Sequence, residues 1–259
     1  MPTMLSKHIT APAPRMIMRL LAVHYVLQQT AASITANPVI TEIGPGLGDA
    51  ASFLCALLTP AAYRLCDISA HSRLSLHRRF DGDGRFSIHA QVSELAGQAD
   101  LVCAFEVMEH IEDDADFLAQ LKRHLKPGGI LLGSVPAFAH KWQRADEIAG
   151  HYRRYDRLPL QNIMQRTGFT VLSIQGYGFP VTNILYPLRE LYYASKKTAR
   201  TPTEKLAATL TSGTDRSWVK HLHPGLITAM LQPFSQLQLR PELERFADGF
   251  VLCATNACQ

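Results

Sequence analysis

The sequence predicts an α/β fold built on a doubly wound, largely parallel sheet. Three observations carry that expectation. Short apolar runs that read as strands alternate with helical patterns through residues 38–136. The first run, "PVITEIG", ends in the glycine-rich turn "GPGLG" at 44–48. The 259 residues, 47% hydrophobic and 19% charged, suffice to bury the core of one such domain.

Residues 1–12 read as a loose tail. Pro14 suits the first turn of a helix in the N-terminal segment 1–33, along which Met16, Ile17, Leu20, Leu21, Tyr25 and Leu27 recur near helical spacing. After the glycines, "DAASFLCALLT" continues as a helix with Asp49 near its start. "AYRLCDIS" is a second strand ending at Asp67, and the helix "AHSRLSLHRRF" follows until Gly82 and Gly84 break it. "RFSIHAQ" and "ADLVCAFEV" are the third and fourth strands. "MEHIEDDADFLAQLKRHL" reads as one helix, and "KPGG" as a tight turn into the fifth strand, "ILLGSVP".

Past Pro136 the rhythm changes. "AFAHKWQRADEIAGHYRRYD" has no clear period and reads as a loop over the site; "RLPLQNIMQRTG" is a short helix. "FTVLSIQGYG" and "RFADGFVLCAT" read as the last two strands. The stretch 179–245 between them is too long for a hairpin and reads as a mostly helical inserted cap or partner surface within a single domain, 1–259. The aromatic residues Tyr177, Phe179, Tyr186, Tyr192, Tyr193 and Trp218 suit packing of the cap's own interior. Lys196, Lys197, Arg200 and Lys205 suit a solvated face.

Composition excludes several classes. A net charge of +4 is too weak to argue for nucleic acid. Cys55, Cys66, Cys103, Cys253 and Cys258 are odd in number and lack CxxC spacing, which speaks for reduced thiols rather than a disulfide framework or zinc site. "MIMRLLAVHYVL" is interrupted by Arg19 and His24 and precedes no cleavage site. No run reaches roughly 18 uninterrupted apolar residues, so no membrane span is expected and the expected location is cytoplasmic. A homodimer is left open.

The glycines of Gly44, Gly46 and Gly48 are spaced GxGxG, not the GxGxxG of a dinucleotide site. Asp49 follows at the helix start, where it would repel a pyrophosphate. A sulfonium amino acid carries no phosphate and suits such an acidic turn better. Here the chain resembles the class I S-adenosylmethionine-dependent methyltransferases. "EIGPGLG" looks like their first motif, and Asp67, 19 residues past Gly48, like the acidic residue that takes both ribose hydroxyls. "ADLVCAFEVMEHIED" and "LKPGGILLGSVP" look like the segments around their fourth and fifth strands. The resemblance covers about residues 14–176 and 246–255. It implies a Rossmann-like sheet of seven strands with the last antiparallel, S-adenosylmethionine as cofactor, and a cofactor site of Glu42, Gly44, Gly46, Gly48, Asp67, Ile68, Gln91, Val92 and Phe105. One departure stands out: Gln91 occupies the place where the family usually has an aspartate for the adenine amine.

Methyl transfer to a hydroxyl needs the nucleophile about 3 Å from the methyl and an acceptor for its proton. "FEVMEHIEDD" places Glu106, Glu109 and His110 at i, i+3 and i+4, one face of a helix start. Two carboxylates and an imidazole suit Mg²⁺ or another divalent ion. This ExxEH pattern resembles the metal set of ubiquinone-pathway O-methyltransferases and small-RNA 2′-O-methyltransferases, with His151 in the place of the latter's further histidine. Without metal, His110 or His151 is the expected general base. Tyr152, Arg153 and Arg154 in "GHYRRY" are the expected substrate contacts. The leading expectation is methyl transfer to a small-molecule substrate, at oxygen. RNA 2′-hydroxyl methylation and a non-catalytic cofactor-binding scaffold are the alternatives.

Overall fold

The computed structural model describes residues 13–95, 97–194, 198, 201–211 and 224–256, with side chains left aside at 211 and 224–230. The tail 1–12, Lys196, Lys197, Arg200, Trp218 and Cys258 lie outside the described residues.

A helix α1 (Pro14–Gln29) leads into β1 (Val39–Ile43). Then come α2 (Asp49–Leu58), β2 (Ala62–Cys66), α3 (Ala70–Arg79), β3 (Phe86–His89), β4 (Ala99–Phe105), α4 (Asp114–Arg123) and β5 (Leu125–Pro136). The second part holds α5 (Arg144–Ala149), α6 (Arg157–Arg166), β6 (Phe169–Tyr177), α7 (Val181–Tyr193), α8 (Pro202–Thr211), α9 (Pro224–Leu237) and β7 (Gly249–Asn256).

The seven strands form one sheet in the order β3-β2-β1-β4-β5-β7-β6. All pairings are parallel except those of β7, which runs antiparallel to both β5 and β6. This is the doubly wound, mostly parallel sheet with one antiparallel strand that the sequence implies. The pleat sorts side chains by parity. Ile40, Leu65, Leu101, Cys103 and Leu132 meet α1 and α2 on one face, through Leu20, Val23, Phe53 and Leu54. Val102, Ala104, Leu131 and Val135 meet α4 and α6 on the other, through Leu118, Leu121, Leu160 and Met164. Cys55, Cys66, Cys103 and Cys253 are all unpaired thiols. Among the described residues no helix is long and apolar enough to cross a membrane.

Two expectations change. Residues 108–125 are not one helix: a short 3-10 turn spans Met108–His110, and α4 starts only at Asp114. Asp113 caps α4 by accepting from the Asp116 N–H at 2.9 Å, so the helix starts where a carboxylate satisfies its free donors. The segment 137–156 is not all loop either. It contains α5, whose first turn is closed by Asp146 accepting the Gln143 N–H at 2.8 Å and whose end is set by Gly150 at φ 81°.

The turn after β1 depends on glycine. Gly48 has φ 80°, and a Cβ there would lie 2.8 Å from the Phe80 ring and 2.9 Å from Leu76. Gly48→Ala combines left-handed strain with overpacking. It is expected to cost about 2–4 kcal/mol, read as a lowered urea midpoint with unchanged slope.

Candidate active site

The site lies at the carboxyl ends of β2, β1 and β4, which sit side by side. There the chain leaves β1 and β4 in opposite directions across the sheet, the place where ligands bind in such folds. Ile43 pairs with Cys66 on one side and with Ala104 on the other. The glycine turn therefore emerges between Asp67 and the Phe105–Glu106 end of β4.

The turn is tied to both neighbours. The Gly44 N–H donates to the Cys66 carbonyl at 2.9 Å, and the Gly46 N–H to Asp67 Oδ2 at 3.0 Å. A Cβ on Gly44 would meet Val107 at 2.7 Å, whereas one on Gly46 would meet nothing within 4 Å. Gly46 is thus the open point of the cradle. Asp67 also accepts the Ser69 N–H on Oδ1 at 2.8 Å. Burial raises its pKa, and these two N–H groups oppose the shift. Each carboxylate oxygen keeps lone pairs for further donors. Ile68 is 57% exposed beside it, Gln91 is exposed two residues past β3, and Val92 is half-buried.

Glu42 is buried beneath the turn and does not face open space. Its Oε2 accepts from the Tyr63 hydroxyl at 2.6 Å. Burial lifts its pKa to about 7 against that hydrogen bond and the charge of Arg19. Phe105 is buried too, with the Arg19 guanidinium 5.8 Å from its ring centroid. Arg19 is 6% exposed; its Nη2 touches Met16 Sδ at 2.7 Å, its Nη1 lies 3.9 Å from Glu106, and its Nε is buried without a hydrogen-bond partner among the described residues.

Glu106, Glu109 and His110 were expected on one helical face. The structure separates them. Glu106 takes φ 56°, a left-handed backbone, and the 3-10 turn after it points Glu109 elsewhere. Glu106 accepts from Arg15, from the Ser134 hydroxyl at 2.9 Å and from the Tyr177 hydroxyl at 2.9 Å. Burial would raise its pKa, but Arg15 and Arg19 hold it near 2. It is therefore not part of the candidate metal set.

Glu109, His110 and His151 do come together, with one donor atom of each within 4.8 Å of the others. Glu109 is fully buried, and neither carboxylate oxygen has a hydrogen-bond partner among the described residues. Burial and the nearby Glu106 push its pKa well above the ordinary carboxylate range. Burial, with His151 adding to it, drops His110 to about 3. The two imidazoles meet edge to face at 4.6 Å. His151 Nδ1 is 2.9 Å from Asp146 Oδ1, and its Nε2 is 4.0 Å from Glu109. Thr209 of α8 reaches His110 Nδ1 with its hydroxyl at 3.0 Å, so the insertion closes over the site.

The expected substrate contacts divide. Tyr152 is half-buried beneath the Lys205 ammonium, 3.9 Å from its ring centroid. Arg153 pairs with Asp114 at 2.6 Å. Arg154 corrects the expectation: it is buried, bound to Asp146 at 2.7 Å and to the Ala137 carbonyl at 3.2 Å, and belongs to the framework. Sequence reasoning missed Arg15, Arg19, Asp146, Asp248 and Thr209. The signal for Arg19 was present, a lone charge within an apolar helical face.

The chain belongs to the methyltransferase domain family, whose model matches residues 18–174. A protein of Mycolicibacterium smegmatis (strain ATCC 700084 / mc(2)155), named a probable S-adenosylmethionine-dependent methyltransferase, is 28% identical over 158 residues. The match takes in 59% of this chain and 60% of that protein, so it spans less than two thirds of the relative's length. Two solved structures share the fold. A protein of Bacillus halodurans C-125 assigned as a methyltransferase superposes with a TM-score of 0.56 at 14% identity, over 92% of this chain and 99% of the other. An S-adenosylmethionine-dependent methyltransferase of Clostridium acetobutylicum ATCC 824 does so with 0.53 at 10% identity, over 94% and 92%. At such identities the likeness is one of fold.

Two outcomes follow from the buried charges. Glu106 contributes stability above its ordinary pKa of 4.5 and loses it as pH falls towards 2, so Glu106→Gln should flatten that part of the acid-unfolding curve. Arg154→Met leaves Asp146 a buried charge short of its closest cation. A loss of about 3–5 kcal/mol by chemical denaturation is expected.

Proposed function

We propose that this chain is a cytoplasmic S-adenosylmethionine-dependent methyltransferase that acts on a hydroxyl oxygen of a small-molecule acceptor. The observation that carries the choice of oxygen is the Asp146–His151 pair beside the end of β4. A carboxylate fixes one ring nitrogen and leaves the other directed into the site, the arrangement a general base requires.

The residues fit the cofactor. Gly46 gives the backbone room for close approach, and Asp67 keeps acceptor capacity for ribose hydroxyls. The unpartnered, buried Arg19 Nε suits the carboxylate of an amino-acid moiety. S-adenosylmethionine supplies an electrophilic methyl group on a sulfonium. The chain's part is to orient the acceptor in line, exclude water and take the hydroxyl proton on His151 Nε2. His110, held neutral by burial, is a poor proton acceptor near neutral pH and serves to position its neighbours.

A second reading is favoured by the orphaned oxygens of Glu109. With His110 and His151 they would hold a divalent ion, which would lower the pKa of the acceptor hydroxyl. One carboxylate and two imidazoles suit zinc, iron or manganese better than Mg²⁺, because Glu106 is engaged by Arg15.

S-adenosylhomocysteine should bind with an affinity on the order of micromolar in calorimetry, NADH should not, and Asp67→Ala should weaken the former about tenfold or more. Absence of binding with and without divalent metal would overturn the cofactor assignment. With methyl-labelled cofactor, label should enter metabolite extract rather than total RNA. His151→Ala should slow turnover about 10²–10⁴-fold with unchanged affinity for S-adenosylhomocysteine. Loss of turnover after EDTA treatment, restored by Mn²⁺ or Zn²⁺, would select the metal reading over the metal-free base.

A further inference from the structure

Beside the candidate active site, α7, the residues just before β7 and those leading into α5 line an open pocket of about 140 Å³, part polar and part apolar. Its walls include Lys141, Gln143, Thr182, Asn183, Arg189 and Asp248. Arg15 links it to the reaction centre, because the same guanidinium binds Asp248 through Nε and Glu106 through Nη1, each at 2.5 Å.

The charges around this cavity do not cancel. Asp248 takes Arg15 directly and faces Arg154 at 3.7 Å and Arg189 at 3.9 Å. Arg15 and Arg154 have further carboxylates in Glu106 and Asp146. Arg189 has none. Its Nη2 donates to the Gln143 side-chain oxygen, and its Nε is buried without a partner among the described residues. Lys141 donates to the carbonyls of Arg245 (2.9 Å) and Ala247 (2.7 Å) and sits 4.6 Å from the Phe138 ring centroid. It makes no ion pair among the described residues. Five cations (Arg15, Arg19, Lys141, Arg154, Arg189) thus surround three carboxylates (Glu106, Asp146, Asp248). A half-buried surplus cation such as Arg189 or Lys141 gains from an anion that joins it.

We propose that this cavity binds an anionic group, a carboxylate or a phosphate, of the methyl acceptor, with Arg189 and Lys141 as its cations. The assignment to an acceptor rests on the methyltransferase reading above. Arg189 offers the planar donor edge that such groups take in pairs, and Thr182 and Asn183 add neutral polar groups to the wall.

The test uses the full chain labelled with ¹⁵N, reading arginine Nε–Hε resonances. Inorganic phosphate is titrated in one arm and acetate in the other, with ionic strength held constant by chloride. The resonance missing from the Arg189→Lys spectrum should shift saturably, with a midpoint roughly in the millimolar range. Lys141→Met should weaken that midpoint about threefold or more while the Arg189 resonance stays in place. The tighter arm assigns the group as phosphate or carboxylate. Linear drift of all arginine signals in both arms overturns the site, as does saturation unchanged by Lys141→Met. S-adenosylhomocysteine affinity on the same samples separates the two readings. If it is absent while the anion still saturates, the methyltransferase reading and the acceptor assignment both fall. If it is present and the anion response is missing, only the anion site falls.

Discussion

The double ion pair of Arg15 is the contact on which the site depends. It joins the first helix to the end of the central strand β4 through Glu106 and to the start of the last strand through Asp248, 233 residues away in sequence. Glu106 takes a left-handed backbone there, an arrangement of modest cost that a buried, several-fold satisfied carboxylate can offset. With Glu106 committed, the following turn is free to send Glu109 towards the histidines. Sheet end, helix and insertion are therefore registered to one another by charge as well as by packing.

A second carboxylate organises the other wall. Asp146 accepts from the Gln143 N–H, from His151 and from Arg154, so one side chain starts α5, orients the imidazole and anchors the buried guanidinium. The bonds and charges of His151 and Arg154 outweigh the burial that would otherwise raise its pKa. The candidate base and the local fold consequently share a single support. Substitutions at Asp146 would confound chemistry with stability, and His151 is the cleaner position to vary.

The sheet was legible because its signals are local. The glycine turn follows an apolar run, Asp67 closes the next one, and parity along "LVCAF" sorts its side chains between the two cores. The cluster Glu109, His110 and His151 was legible as residue types, and Glu106 was not separable from it without knowing that its backbone turns left-handed. The boundary at Asp113 could have been read from "EDD" ahead of an apolar stretch, a capping signal that the helical period obscured. Arg15 and Asp248 carry no local signature. Their roles arise from contacts between the two ends of the chain, which periodicity and spacing do not encode.

The family match ends at residue 174, yet Thr209, Arg189 and Asp248 all lie beyond it. The glycine turn and Asp67 lie in the part of the chain that the family model matches, while Thr209, Arg189 and Asp248, which close the candidate site and the pocket beside it, lie in the last third. Inheritance can then act on the two separately. A change in the segment after residue 174 can then reshape the walls around Glu109, His110 and His151 without rebuilding the sheet beneath them.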